Sequence, residues 1–274
     1  MKTYKVIKGT FHVKGYSPDG DSIRFLADKP ENWDWSGFDW EKKPPKEKQL
    51  RIEAIDALET HYEGVRQPHS FAIAALEHLL AQIGISNVQY NLMVSKIISA
   101  DDEKPGYIVT AGVDKFNRPI SYVFNDKVKL NDGQLIDSDK IPVEKSVNYI
   151  LAKEGLVYPT FYQGMDEKLM EKFRKVIAVA RKESKGLWAI EKTSAFKVWN
   201  IYTLQDDVII MPKLFRRFVS FFEAASEMSE FMSYIAKNPD KVIVNGTKAH
   251  LHDFITADGT TFGLTVLPED IIFT

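Results

Sequence analysis

In the stretch Gln49-Leu50-Arg51-Ile52-Glu53-Ala54-Ile55-Asp56-Ala57-Leu58-Glu59-Thr60, an arginine precedes an aspartate by five positions and a glutamate by eight. These residue types suit a hard cation and a phosphate, since carboxylate oxygens bind Ca²⁺ and a guanidinium forks onto two phosphate oxygens as lysine cannot. Two other groups share that chemistry: Ser17-Pro18-Asp19-Gly20-Asp21-Ser22 upstream and Asp114-Lys115-Phe116-Asn117-Arg118 downstream. Hydrolysing a phosphodiester needs an in-line water, charge stabilisation on the equatorial oxygens and help for the leaving oxygen. Asp21 and Asp56 are the natural cation pair if their strand ends converge. Arg51 and Arg118 are then available to the phosphate, and Glu59 to orient or deprotonate the water. Taken alone, residues 49–60 are better explained as an exposed edge strand with ordinary surface charges. The company of the other two groups changes that reading.

Strands and turns must position these side chains. Leu50, Ile52 and Ala54 alternate with Arg51 and Glu53, which predicts a strand that breaks at Ile55. Residues 4–16 read as a first strand broken near Gly9, and Pro18-Asp19-Gly20 turns the chain into a second strand over 22–26. Residues 68–83 have helical apolar spacing and Pro68 as a good first residue. Strands are expected over 88–99 and 107–113, joined by a charged turn at 101–106 whose acids are read as solvated rather than metal-binding. Asn117 turns the chain into a strand from Pro119, and residues 130–142 are loop-like. A helix over 143–154 ends at Gly155. Another over 166–185 turns Leu169, Phe173, Val176, Ile177 and Val179 to the core and stops at Gly186.

Taken in order, the Asp-Gly-Asp-Ser turn, the R-x4-D-x2-E spacing and the Asp-Lys-aromatic-x-Arg turn resemble the staphylococcal nuclease (thermonuclease) family. Val147-Asn148-Tyr149-Ile150-Leu151-Ala152-Lys153-Glu154-Gly155-Leu156-Val157 is similar to the helix before that family's last barrel segment. Ala180-Arg181-Lys182-Glu183-Ser184-Lys185-Gly186-Leu187-Trp188 is similar to its closing helix and terminal tryptophan. The resemblance covers residues 1–190. It implies an α+β fold built on a five-stranded OB-type barrel with three helices. It also implies a Ca²⁺-dependent nuclease that cuts single-stranded DNA or RNA with low sequence specificity and leaves 3′-phosphate ends.

The resemblance assigns residues as well. Asp21 and Asp56 match calcium ligands, Ala57 a backbone-carbonyl ligand, Arg51 and Arg118 the phosphate-binding arginines, Glu59 the general base and Asp19 an outer acid. Lys115 and Phe116, with Tyr158, Phe161 and Tyr162, match the region that contacts substrate. Ala57 and Leu58 stand where threonine and proline are common, and Phe116 where an aromatic hydroxyl often touches the phosphate. The five charged positions are all present, whereas the nuclease-like repeats of the Tudor-staphylococcal nuclease coactivators have largely lost them. That favours catalysis. The alternative is a non-catalytic nucleic-acid-binding or protein-binding module.

The 274 residues are 44% hydrophobic with a formal charge of −2, enough apolar content for buried cores and too balanced for a basic nucleic-acid coat. The absence of cysteine leaves a metal only oxygen or imidazole ligands. Neither a membrane span nor a secretory leader is read, so the protein is expected to be cytoplasmic unless a leader was removed. The segment 28–48 holds Trp33, Trp35 and Trp40, which suit either base stacking or, preferably, packing as a satellite core.

Residues 191–274 resemble no family and read as an accessory α+β domain, a candidate surface for a protein partner or self-association. Strands are expected over 196–201, 208–211, 241–244, 249–255, 262–266 and 271–273, with a helix from Pro212 to about residue 238. His250 and His252 would share a strand face there, without an evident third ligand, and carry no expected metal role.

Overall fold

Five strands rich in alternating apolar residues close on themselves into a mixed β-barrel. Thr3–His12 pairs antiparallel with Ser22–Ala27 and with Lys104–Val113. Ser22–Ala27 pairs antiparallel with Glu47–Ile52, which runs parallel to Pro119–Asn125. The antiparallel pairing of Pro119–Asn125 with Lys104–Val113 completes the ring, leaving no free edge along these strands. Val6, Phe11, Ile23, Phe25, Leu50, Ile108 and Val123 are buried in it. Gly9 lies opposite Gly106, and a Cβ on Gly9 would sit 2.1 Å from the Leu26 carbonyl oxygen. Glycine is needed where backbones approach so closely.

The computed structural model describes residues 2–34, 47–92, 96–224 and 227–274, and the chain forms two units. The barrel belongs to the first, which comprises residues 1–53, 75–151 and 166–173; the second comprises 54–74, 152–165 and 174–274. Among the described residues no helix is long and apolar enough to cross a membrane.

Within the first unit several expectations are revised. The strand expected over 88–99 is a hairpin of Ser86–Tyr90 and Ile97–Asp101. The acids of the following turn are anchors: Asp102 accepts hydrogen bonds from the Val13 and Lys14 amides at 2.9 to 3.1 Å, and Asp101 accepts from Ser86 and Asn87 side chains. Leu135–Asp137, inside the expected loop, adds a short strand beside Thr3–His12. Trp33 is buried edge-on against Phe25, as satellite packing requires; Trp35 and Trp40 lie outside the described residues.

The helix expected over 166–185 is Glu167–Lys182, and Val179 is half exposed while Ala180 is buried. Leu169, Phe173, Val176, Ile177 and Ala180 follow one helical stripe, and Val179 falls off it.

In the second unit Ile55–Asp56 pairs with Tyr158–Pro159, and Phe161–Tyr162 runs parallel to Ile271–Phe273 beside Lys241–Val244 and Thr247–His250. A second sheet joins Phe196–Lys197, Thr261–Leu264 and Ile255–Asp258. The expected strand over 196–201 is only two residues long, because Asn200 accepts a hydrogen bond from the Thr203 amide at 3.0 Å and caps the helix Ile201–Asp206. Residues 208–211 are buried without forming a strand.

The helix starting at Pro212 ends at Ala224, and a separate one covers Phe231–Lys237. Phe218 of the first stacks on Phe231 of the second at 3.9 Å, with Phe262 and Phe221 edge-on around them. The expected strand over 249–255 is interrupted by a 3-10 turn, Leu251–Phe254, so His250 and His252 do not share a strand face.

Candidate active site

The first unit holds Asp21, Arg51 and Arg118 at three neighbouring strand ends. Ser22 pairs with Arg51, and Arg51 with Ile120, so the register aligns the start of one strand, the end of the next and the start of the third. Asp21 directly precedes Ser22, and its carbonyl accepts the Ile52 amide at 2.9 Å. Arg118 lies two residues before Ile120. Asn148, fully buried, locks the parallel pair: its Nδ2 donates to the carbonyls of Glu53 and Ser121, and its Oδ1 accepts from the Val123 amide. In the sequence Asn148 is one residue of a helix motif, and nothing in its spacing signals this role.

Arg118 is positioned by its own turn. The Asp114 carboxylate accepts the amides of Phe116 and Arg118 at 2.9 Å, and Asn117 takes a left-handed φ of 59° between them. The Arg118 Nε donates to the other Asp114 oxygen at 2.8 Å and its Nη2 approaches that oxygen at 2.7 Å. Phe116 stands 67% exposed, with the Lys115 ammonium and the Arg118 guanidinium near its ring at 5.0 and 5.5 Å. Arg24, Lys48, Gln49, Phe116, Asn117 and Arg118 line one open groove. Three cations beside an exposed ring can take a polyanion with stacked bases.

The second unit holds Asp56, Ala57 and Glu59, followed by the loop to Gln67. Asp56 is 3% exposed and Ala57 is buried, so the Asp56 carboxylate needs a partner. That partner is Arg216, on the helix Pro212–Ala224. Its Nη2 donates to Asp56 Oδ2 at 2.7 Å, its Nη1 reaches Asp56 Oδ1 at 3.4 Å, and the same Nη1 donates to Glu59 Oε1. Burial works against the charge on Arg216, but the two carboxylates more than offset it and hold the guanidinium ionised. Gln67, fully buried, ties the loop down: it accepts the Glu59 amide on Oε1 and donates from Nε2 to the Ile210 carbonyl at 2.9 Å. Neither Arg216 nor Gln67 was singled out by the sequence, where each reads as an ordinary polar residue.

The expected base-contacting residues divide. Tyr158 and Phe161 are fully buried, the hydroxyl of Tyr158 donating to Glu191 at 3.1 Å and the ring of Phe161 lying beneath the Arg174 guanidinium at 5.3 Å. They are core residues of their unit and cannot stack on a base. Tyr162 is partly exposed, its ring 5.7 Å from that of Phe273.

The Asp56 and Glu59 carboxylates already embrace a positive group, so this oxygen set fits a hard cation such as Ca²⁺ in kind, with Arg216 standing where that charge is required. Elsewhere among the described residues, His250, His252 and Asp253 bring ligand atoms within 4.8 Å of one another. The carboxylate of Asp253 accepts the His250 amide at 2.8 Å as part of a helix cap, which accounts for the cluster.

A family model described as "Staphylococcal nuclease homologue" matches residues 49–190. No curated protein matches the chain. The match covers Arg51, Asp56, Glu59 and Arg118, and it supports a nuclease or a nucleic-acid-binding module.

Proposed function

Because the chain belongs to the staphylococcal nuclease family, we propose that it is a Ca²⁺-dependent nuclease that hydrolyses single-stranded DNA or RNA with little sequence preference. The reading is carried by the register that aligns Asp21, Arg51 and Arg118 at three neighbouring strand ends. The groove with Arg24, Lys48, Phe116 and Arg118 supports it.

In the proposed reaction the water oxygen bonds to phosphorus while the bond from phosphorus to the 5′ oxygen breaks, leaving a 3′-phosphate and a 5′-hydroxyl that takes its proton from solvent. Glu59 takes the proton of the attacking water. Arg51 and Arg118 fork onto the phosphate oxygens, Arg118 by exchanging the Asp114 carboxylate for phosphate. Asp21, Asp56 and the Ala57 carbonyl would hold Ca²⁺, which supplies charge neutralisation on the phosphate when bound. Lys115 pairs with backbone phosphate, and Phe116 and Tyr162 offer faces to bases, while Tyr158 and Phe161 are packed in the core of their own unit. In this division of labour residues 1–190 carry the chemistry and residues 191–274 an accessory role.

The test is incubation of the purified protein with denatured DNA in Ca²⁺ and in EGTA. Cleavage only with Ca²⁺ is expected; none across neutral and alkaline pH overturns the proposal. A second reading, a module that binds nucleic acid without turnover, is favoured by one observation, the commitment of Asp56 and Glu59 to Arg216. It predicts tight DNA binding that neither Ca²⁺ nor Glu59→Gln changes.

A further inference from the structure

We propose that Arg216 is the resident cation of the Asp56–Glu59 carboxylate pair, and that a divalent ion enters this site only by displacing it. The inference rests on the hydrolytic reading for its consequence, but its physical content is a competition between two cations for the same oxygens. Arg216 engages both oxygens of Asp56 and one of Glu59, so a Ca²⁺ ion bound to Asp56 must break at least one charge-assisted hydrogen bond. A guanidinium left in place would also repel the incoming ion at close range.

Arg216 is not a loose surface arm that happens to rest there. Its helix is fastened by Leu214, Phe215, Phe218 and Phe221, all buried. The adjacent Arg217 is committed elsewhere, its Nε donating to Asp240 Oδ2 at 2.6 Å, with Lys213 3.2 Å from the other Asp240 oxygen. Asp240 is therefore already shared between two cations and is no ready alternative for a displaced Arg216. On the other side, Gln67 fixes Glu59 to the segment just before the helix. The carboxylates and the guanidinium are thus held to one another from both directions. The accessory C-terminal residues thereby set the metal requirement of the family's acids.

The experiment compares the full-length protein with Arg216→Gln, which removes the charge and leaves a shorter polar side chain. Calorimetric titration with CaCl₂ should show Ca²⁺ binding at least about tenfold tighter in the variant, equivalent to about 1.4 kcal/mol. The variant should melt lower than wild type in EDTA, because Asp56 is left buried without a counter-charge, and Ca²⁺ should restore its melting temperature. Equal Ca²⁺ affinity in the two proteins, or a melting temperature that Ca²⁺ does not restore, overturns the proposal.

If the variant does not fold, the wild-type protein decides: the Arg216 Nε–Hε resonance should move on Ca²⁺ saturation, and a resonance that stays put overturns the proposal. Tighter Ca²⁺ binding by Arg216→Gln without any DNA cleavage supports the competition and rejects the hydrolytic reading. Cleavage by wild type that the variant neither speeds nor makes less Ca²⁺-demanding rejects the competition alone.

Discussion

Glu59 and Arg118 are each held in an ion pair whose partner differs: Arg216 for Glu59 and Asp114 for Arg118. In the proposed reaction both exchange that partner for water or phosphate. Glu59→Gln is expected to lower cleavage of denatured DNA by about 10²–10⁴-fold, the usual worth of a general base. Arg118→Ala should lower it by about 10²–10³-fold, as for loss of one donor to a developing charge. Unchanged circular dichroism would separate these losses from unfolding.

Glu53 poses a different question, since burial pushes its carboxyl up against the smaller opposing effects of Lys2 and Arg51. Its folded form holds a proton more tightly than the unfolded form. The stability it contributes is full below the ordinary glutamate value of about 4.3 and is lost as pH rises through the raised folded value. Glu53→Gln should therefore flatten that loss and raise the melting temperature at mildly alkaline pH by roughly 2–4 °C for each kcal/mol regained. Thermal melts of both proteins across pH check this, and a variant that melts lower at every pH rejects it.

At the scale of elements, the helix Val147–Lys153 ends where the chain needs glycine twice. Gly155 has φ 69°, and a Cβ there would lie 2.3 Å from the Lys185 carbonyl oxygen. Gly186, with φ 53°, faces back onto the Gly155 carbonyl at the same distance, and the Leu187 amide donates to that carbonyl at 2.9 Å. The sequence marks both glycines as helix ends, but not that they meet. Gly155→Ala combines a left-handed backbone with a clash, so it should cost more than about 1 kcal/mol, read as a lower urea midpoint with an unchanged slope. The helix from Pro212 shows the limit of periodicity: its apolar spacing runs on toward residue 238, yet the structure has two helices, Pro212–Ala224 and Phe231–Lys237, with Phe231 stacked on Phe218.

At the scale of the whole molecule, residues 54–74 and 152–165 fold with 174–274, while the closed barrel lies in the other unit. A chain cut after residue 190 loses the partners of Asp56, Gln67 and Tyr158, namely Arg216, the Ile210 carbonyl, and Glu191 with Thr193. It keeps every strand of the barrel. Hydrogen exchange on the truncated chain should leave the barrel amides protected, while those of residues 54–74 and 152–165 exchange faster than in the full chain. Equal protection of both sets would show that the C-terminal residues contribute nothing to holding Asp56 and Glu59.

The sequence alone located the barrel strands to within a few residues, the turns that open them and the order of the charged groups along them. It broke the first strand at Gly9, where Thr3–His12 is continuous, and ran another past Ile52, where Ala54 takes a left-handed φ of 71°. Those properties are local: side-chain alternation follows from the strand repeat, and Asp19-Gly20 and Asn117 take turn conformations almost regardless of context. It also led, through resemblance, to the family that the match at residues 49–190 shows. Only the tertiary structure decided that Trp33 is core, that Tyr158 and Phe161 are buried, and that Arg216 closes on Asp56 from 160 positions away. An arginine beside another arginine on an amphipathic helix reads as a solvated face. Periodicity tells which way a side chain points from its own axis, but the anion it meets depends on how distant segments pack.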